Sequence, residues 1–106
     1  MNESEFNQRV DDIIGRIEEA LDDCEADVDY ETAAGILTIQ FENNTKIIIN
    51  RQTPVQQIWV ATKLGGFHFD YDANQDRWVK DDDQTELFVA LSQYCSEQSG
   101  ESIELA

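Results

Sequence analysis

The chain has 106 residues, of which 41% are hydrophobic, enough for one domain with an ordinary compact core. It carries 23 acidic and 7 basic side chains, a net charge of -16. Such a charge repels nucleic-acid backbones and anionic membrane surfaces. We therefore expect neither as a partner, and we expect attraction toward cations and basic protein surfaces.

The first predicted element is an amphipathic helix. Apolar residues recur at steps of three and four between Phe6 and Cys24, the spacing of one buried helical stripe. Asn2 and Glu5 have the spacing of a capping box, which marks a helix start. Together these signals predict a helix over about residues 3–24.

Three strands are predicted next. Acidic and apolar residues alternate from Asp27 onward, which predicts an edge strand with one face in water. Residues 36–42 and 45–50 are two further strands. Asn43 and Asn44 lie between them and tolerate the positive φ of a tight hairpin turn.

A second hairpin follows. Its predicted strands are residues 57–63 and 67–71, with Gly65 and Gly66 supplying the turn geometry. Residues 77–80 are predicted as a short final strand.

The last predicted element is a second helix. Asp83 is its expected N-cap, Glu86 occupies the capping-box position, and Gly100 ends it. Ile103 and Leu105 in the tail are expected to pack between the two helices. The element order and the short connections predict an α+β fold, a two-layer α-β sandwich in which both helices cover one face of an antiparallel sheet of five or six strands.

The two cysteines, Cys24 and Cys95, are far apart in the sequence and lack the spacing of a metal site. They favour free thiols in a reducing compartment. No apolar stretch has the length of a membrane span, and Met1 opens an acidic segment rather than a basic targeting sequence. We expect a cytoplasmic protein.

Negative charge is concentrated at the N-terminal end. Residues 1–31 hold twelve acidic and two basic side chains, a net of -10, against eleven and five in residues 32–106, a net of -6. The acids crowd the C-terminal half of the first helix, where the helix dipole favours cations. Like charges three or four residues apart there, such as Glu18 with Asp22, cost about 0.2–0.5 kcal/mol each.

An acidic surface of this kind has two candidate ligands. Exposed carboxylates are hard oxygen ligands suited to ferrous, manganous, calcium or magnesium ions in open, largely hydrated sites of low affinity. The other candidate is a basic patch on a partner protein. The alternative without a ligand is a solvated or salt-adapted surface.

The sheet face away from the predicted core is also informative. Trp59 is predicted to point outward among the amides of Asn50 and Gln57, a composition typical of protein-binding hot spots. The alternative is a ring that lies flat and shields its own strands. His68, the only histidine, lacks the second histidine of a typical zinc or iron site and is interpreted as a surface residue.

Motifs of catalysis are missing from the sequence. We find no nucleophile elbow, phosphate loop or metalloprotease helix. The carboxylates are predicted on a convex helix rather than in a cleft that separates their pKa values. We expect a protein that is not an enzyme.

Several stretches resemble the frataxin family. Residues 50–54 (NRQTP) and 57–59 (QIW) resemble the frataxin sheet signature, and residues 35–39 (GILTI) and 65–70 (GGFHFD) are similar to the bacterial-type members. The resemblance runs nearly end to end. It implies the frataxin sandwich fold and a role as an iron-binding regulator or adaptor of iron-sulfur cluster assembly.

The resemblance also implies ligands and partners. Iron, as Fe2+ or Fe3+, is expected to bind weakly, with other divalent cations as alternatives, and the implied protein partners are the cysteine desulfurase and the iron-sulfur scaffold protein. The implied metal-binding residues are Glu18, Glu19, Asp22, Asp23, Glu25, Asp27, Asp29 and Glu31. The expected partner-binding residues are Asn50, Gln52, Gln57, Trp59 and His68.

Two other functions stay open for this sequence. One is an iron store or ferroxidase-type iron chaperone that oligomerises with metal, and the other is a passive acidic domain. We expect a monomer in the absence of metal.

Overall fold

The computed structural model describes all 106 residues and contains two helices and six strands. Helix α1 spans Glu3–Asp23 and α2 spans Leu87–Ser99. The strands are β1 (Val28–Ala33), β2 (Ile36–Phe41), β3 (Lys46–Gln52), β4 (Gln57–Thr62), β5 (Gly65–Asp72) and β6 (Arg77–Lys80). A short 3-10 turn, Thr53–Val55, precedes β4.

The six strands form one sheet in chain order, and every neighbouring pair is antiparallel. Both helices pack on one face of this sheet, so the predicted two-layer sandwich is confirmed. We call the other face the open face. β1 is an edge strand, as its alternating pattern predicted. Neither helix combines the length and the apolar character needed to cross a membrane.

The first helix confirms the predicted stripe. Its apolar residues from Phe6 to Leu21 are buried against the sheet. Asn2 Oδ1 accepts a hydrogen bond from the Glu5 backbone N–H at 2.8 Å, which caps the helix as expected. The helix ends one residue earlier than predicted, because Cys24 is already extended at the C-cap.

The second hairpin corrects a prediction. The turn lies at Lys63 and Leu64, while Gly65 and Gly66 are the first residues of β5. Gly66 pairs with Ala61, so the ladder continues through both glycines. Gly65 and Gly66 were assigned to the turn because glycine is expected in turns more often than at the end of a strand. In the first hairpin Asn44 has the predicted positive φ, at 66°.

The start of the second helix was also predicted wrongly. Glu86, not Asp83, is the N-cap, and its carboxylate accepts hydrogen bonds from the backbone N–H groups of Phe88 and Val89. Asp83 instead accepts from the Thr85 N–H in the preceding turn. Asp83 and Glu86 are both acidic residues that can cap a helix, so the three-residue spacing between them did not show which of the two is the N-cap.

The core lies between the helices and the inner face of the sheet. Its strand residues include Ile47, Ile49, Ile58, Val60 and Phe69, with Phe67 partly buried beside them. They lie on the face opposite Trp59, as its predicted outward position requires. The tail contributes as well, because Ile103 and Leu105 are buried and their backbones hydrogen-bond to serines of α2. Both cysteines are free thiols, one buried and one half-buried.

Arg51 is one of the polar side chains that link the sheet to the helices. Arg51 in β3 donates to Asp11 Oδ1 at 2.5 Å and to the backbone and side-chain oxygens of Asn7 at 3.3 and 3.1 Å. Arg51 therefore contacts α1 on the helix side of the sheet, whereas its neighbours Asn50 and Gln52 lie on the open face.

Candidate functional site

The eight predicted metal-binding carboxylates lie on consecutive segments at one edge of the molecule, and we call them the acidic ridge. Four lie on the last two turns of α1, two on the connection that follows, and two on β1. Seven are exposed and Glu18 is half-buried. The ridge is thus built from the end of a helix and the edge of the sheet beside it. Its members are Glu18, Glu19, Asp22, Asp23, Glu25, Asp27, Asp29 and Glu31.

Two ridge carboxylates on α1 are held by hydroxyl groups of β1. The Thr32 hydroxyl donates to Glu18 Oε2 at 2.7 Å, and the Tyr30 hydroxyl donates to Asp22 Oδ1 at 2.8 Å. The hydrogen bond to Asp22 raises the pKa of Tyr30 above its ordinary value. Each carboxylate keeps a second oxygen for a cation. These bonds orient the helical part of the ridge relative to the edge strand.

The β1 carboxylates point the other way. Tyr30 pairs with buried Ile39, so its side chain faces the helices. Asp29 and Glu31 alternate with Tyr30 and therefore project from the open face. The acidic ridge consequently wraps around the sheet edge instead of forming one flat strip. The helical spacing of the acidic residues in α1 does not by itself predict this geometry.

A further carboxylate joins the ridge at its end. Glu42 follows β2, and neighbouring Asp27 raises the pKa of Glu42 above its ordinary value, chiefly because the protonated form of Glu42 can share a hydrogen bond with Asp27. No local sequence pattern points to Glu42. Its place opposite Asp27 follows from the strand register, because Val28 pairs with Phe41 and the next residues outward are Asp27 and Glu42.

No positive side chain neutralises the ridge. The ion pairs of the structure join Arg9 with Asp76, Arg51 with Asp11, His68 with Asp81, and Lys80 with both Asp82 and Asp83. None of these acids belongs to the ridge. In addition, no three His, Cys, Asp or Glu side chains converge closely enough to hold one metal ion together. The ridge is an extended row of oxygen donors with unbalanced charge.

The residues predicted to bind a partner also lie together, on the open face, and we call them the Trp59 cluster: Asn50, Gln52, Gln57, Trp59 and His68. Asn50, Trp59 and His68 are cross-strand neighbours on β3, β4 and β5, and Gln52 pairs with Gln57 in the next row. The Trp59 ring stacks on His68 with centroids 4.5 Å apart. Its Nε1–H donates to Gln57 Oε1 at 2.9 Å. Trp59 is 36% exposed, so part of its ring remains accessible while these two contacts fix its orientation.

The acidic ridge and the Trp59 cluster border the same open face. β1 and β4 are three strand spacings apart, about 14 Å. Between them, Glu31 pairs with Thr38, Thr38 with Ile48, and Ile48 with Ala61. Ile48 is 39% exposed. One partner surface can therefore cover acidic, apolar and aromatic groups at once.

Comparisons with known proteins decide the family. A family model described as a frataxin-like domain matches residues 1–101. The chain belongs to the frataxin family. The family and fold predicted from the sequence are thus confirmed.

Curated frataxin relatives match over the full length of the chain. A protein from Vibrio vulnificus strain YJ016, named iron-sulfur cluster assembly protein CyaY, is 46% identical over 106 residues, covering 100% of both chains. A protein of the same name from Pseudomonas aeruginosa is 45% identical over 104 residues, covering 98% of this chain and 96% of the relative.

Solved frataxin structures have the same fold. The frataxin from Psychromonas ingrahamii, of the CyaY protein family, superposes with a TM-score of 0.91 at 42% identity and covers 100% of this chain and 99% of its own. Yeast frataxin superposes with a TM-score of 0.64 at 25% identity, covering 90% and 80%. The lower score reflects a more distant member of the same family.

Proposed function

We propose that this frataxin is an iron-binding regulator of iron-sulfur cluster assembly, which acts through the acidic ridge on the cysteine desulfurase and the scaffold protein. The observation that carries the proposal is a row of eight carboxylates with which no basic side chain forms an ion pair. The printed names of the bacterial relatives, iron-sulfur cluster assembly proteins, support the general role.

Repulsion between the acidic residues of α1 destabilises the helix, and this cost supports a role of the surface in binding a ligand. Glu18 with Asp22, Glu19 with Asp22 and Glu19 with Asp23 are like-charged neighbours within the helix, at about 0.2–0.5 kcal/mol each. The last turn contains no basic residue, although a cation there is stabilised by the helix dipole. A bound cation or a basic partner removes both penalties on binding.

Iron binding at this ridge is expected to be weak and to retain water. Ferrous and ferric ions accept oxygen ligands, and each ion meets only one or two carboxylates here because no larger group converges. The same donors suit other divalent cations, so selectivity is low. The ridge residues give no chemistry beyond coordination, which fits a regulator rather than an enzyme.

The protein partners are expected to meet two surfaces. A basic patch of the desulfurase pairs with the ridge, which accelerates association and makes it dependent on salt. The Trp59 cluster supplies a partly desolvated aromatic anchor on β4, a strand about 14 Å from β1 across the sheet. In the absence of metal we expect a monomer, since the net charge of -16 repels a second copy. We expect this monomer to be in the cytoplasm.

Desulfurase turnover tests the role of the ridge. In Glu19→Lys/Asp23→Lys, two carboxylates without hydrogen-bond partners are reversed, and we expect the effect of this protein on sulfide release to be lost. Glu97→Lys/Glu104→Lys makes the same change in net charge far along the chain and should retain the effect. Equal behaviour of the two variants would exclude the ridge from the mechanism.

A titration distinguishes regulation from iron storage. Amide shifts are followed residue by residue with ferrous ion and, separately, with the purified desulfurase. We expect both footprints on the ridge, with the Trp59 cluster shifted by the desulfurase alone. Catalytic oxygen consumption with oligomers that grow with iron dose would instead support the ferroxidase or storage function.

A further inference from the structure

A cleft of about 660 Å³ opens on the helix side of the molecule. It lies between the first half of α1, the β5–β6 hairpin, the start of α2 and the C-terminal tail. The cleft shares no residue with the acidic ridge or the Trp59 cluster. Its size is that of a pocket for a small organic molecule.

The cleft contains arginines without acidic partners in a strongly acidic protein. Arg9, Arg16 and Arg77, three of the seven basic residues, line it. Acidic side chains outnumber basic ones by 23 to 7, yet Arg16 and Arg77 form no ion pair. The Nε–H groups of Arg9 and Arg77 are buried without an acceptor. Buried donors without acceptors are costly and uncommon, so Arg77, which also lacks an ion pair, is a candidate for binding an anion, whereas Arg9 is paired with Asp76.

Aromatic rings hold two of these arginines. The Arg16 guanidinium lies 5.2 Å from the centroid of Phe88, and that of Arg9 lies 4.5 Å from the centroid of Tyr71. A guanidinium that rests on a ring keeps its N–H edge free for a bidentate carboxylate. Val89, also in the lining, is 59% exposed and offers an apolar contact beside Phe88.

Four carboxylates face the same cleft and limit its ligand. Asp76 is paired with Arg9, and Glu86 is occupied as the N-cap of α2. Asp12 and Glu104 have no partner. Because these charges and the net charge of the chain repel anions, a ligand with several negative groups is disfavoured.

We propose that this cleft binds a small organic monocarboxylate with an apolar or aromatic body. The carboxylate meets Arg16 and Arg77, and the body packs against exposed Val89, next to the Arg16 side chain. This site is independent of the proposed regulatory function, since it uses none of the ridge residues.

Residue-resolved titration with 4-phenylbutyrate tests the site. We expect saturable shifts of the backbone amides of Val89 and Trp78, two residues of the lining. Acetate lacks the apolar body and 4-phenylbutylamine lacks the anion, so neither should saturate these signals at the same concentrations. Equal binding of the amine, or no saturation with 4-phenylbutyrate up to millimolar concentrations, would overturn the proposal.

Variants locate the anion subsite. Arg16→Gln/Arg77→Gln should weaken 4-phenylbutyrate binding by about tenfold or more. Lys63→Gln removes one positive charge outside the cleft and should leave the affinity unchanged. Arg16 is exposed, so Arg16→Gln alone gives the answer if the double variant does not fold. Unchanged affinity in Arg16→Gln would refute the assignment.

Discussion

Asp23→Lys should stabilise this frataxin, because it places a positive charge at the negative end of α1. Asp23 is the last helical residue and makes no hydrogen bond or ion pair through its side chain. The substitution removes repulsion by Glu19 and creates a favourable Glu-to-Lys pair, each about 0.2–0.5 kcal/mol. A cation at the C-terminus contributes about 0.3–1 kcal/mol more.

The net gain in the free energy of unfolding is about 1 kcal/mol, which corresponds to a rise in Tm of about 4–8 °C for a domain of this size. Urea and thermal unfolding at low salt measure it. The gain should shrink at high salt, because screening weakens exposed charge interactions. An unchanged or lower Tm at low salt would contradict the argument that the ridge is held against an electrostatic penalty.

Asp22→Lys is the matched comparison. It relieves the same kind of repulsion but removes the acceptor of the Tyr30 hydroxyl, so its gain should be smaller than that of Asp23→Lys. In a Tyr30→Phe background this hydrogen bond is absent from the start, and the two lysine variants should then give similar gains. A persistent difference between them would show that the hydrogen bond is not the cause.

Three further outcomes are expected. Because the pKa of Glu42 is raised above its ordinary value of 4.5, protonated Glu42 stabilises the fold below that pH, and this contribution is lost as the pH rises through the raised pKa. Glu42→Gln should therefore have a higher Tm than the unchanged protein at pH 7 and lose that advantage in acid. Burial raises the pKa of the Cys95 thiol to about 12, so a thiol reagent at pH 8 should modify half-buried Cys24 first, and Cys24→Ser should abolish the fast phase. Arg51→Ala should lower the unfolding free energy by about 1–3 kcal/mol in urea titrations, because its hydrogen bonds join β3 to α1.

The sequence alone determined the elements and the character of the surfaces. The step of three and four from Phe6 predicted α1, and the alternation after Asp27 predicted an edge strand, because both periods follow directly from backbone geometry. Net charge and its clustering predicted an acidic surface at the N-terminal end, and the family resemblance implied which eight carboxylates form it. The inward set of the sheet, including Ile47 and Ile58, followed from the same period of two.

Only the tertiary structure decided how the parts face each other. The bonds from Tyr30 and Thr32 to the ridge, the position of Glu42 beside Asp27, and the role of Arg51 depend on how separate elements pack against each other. The cleft arginines come from α1 and β6 and have no local pattern that joins them. Local spacing specifies which side of an element is buried, whereas contacts between elements depend on register and helix placement, which the whole core fixes together.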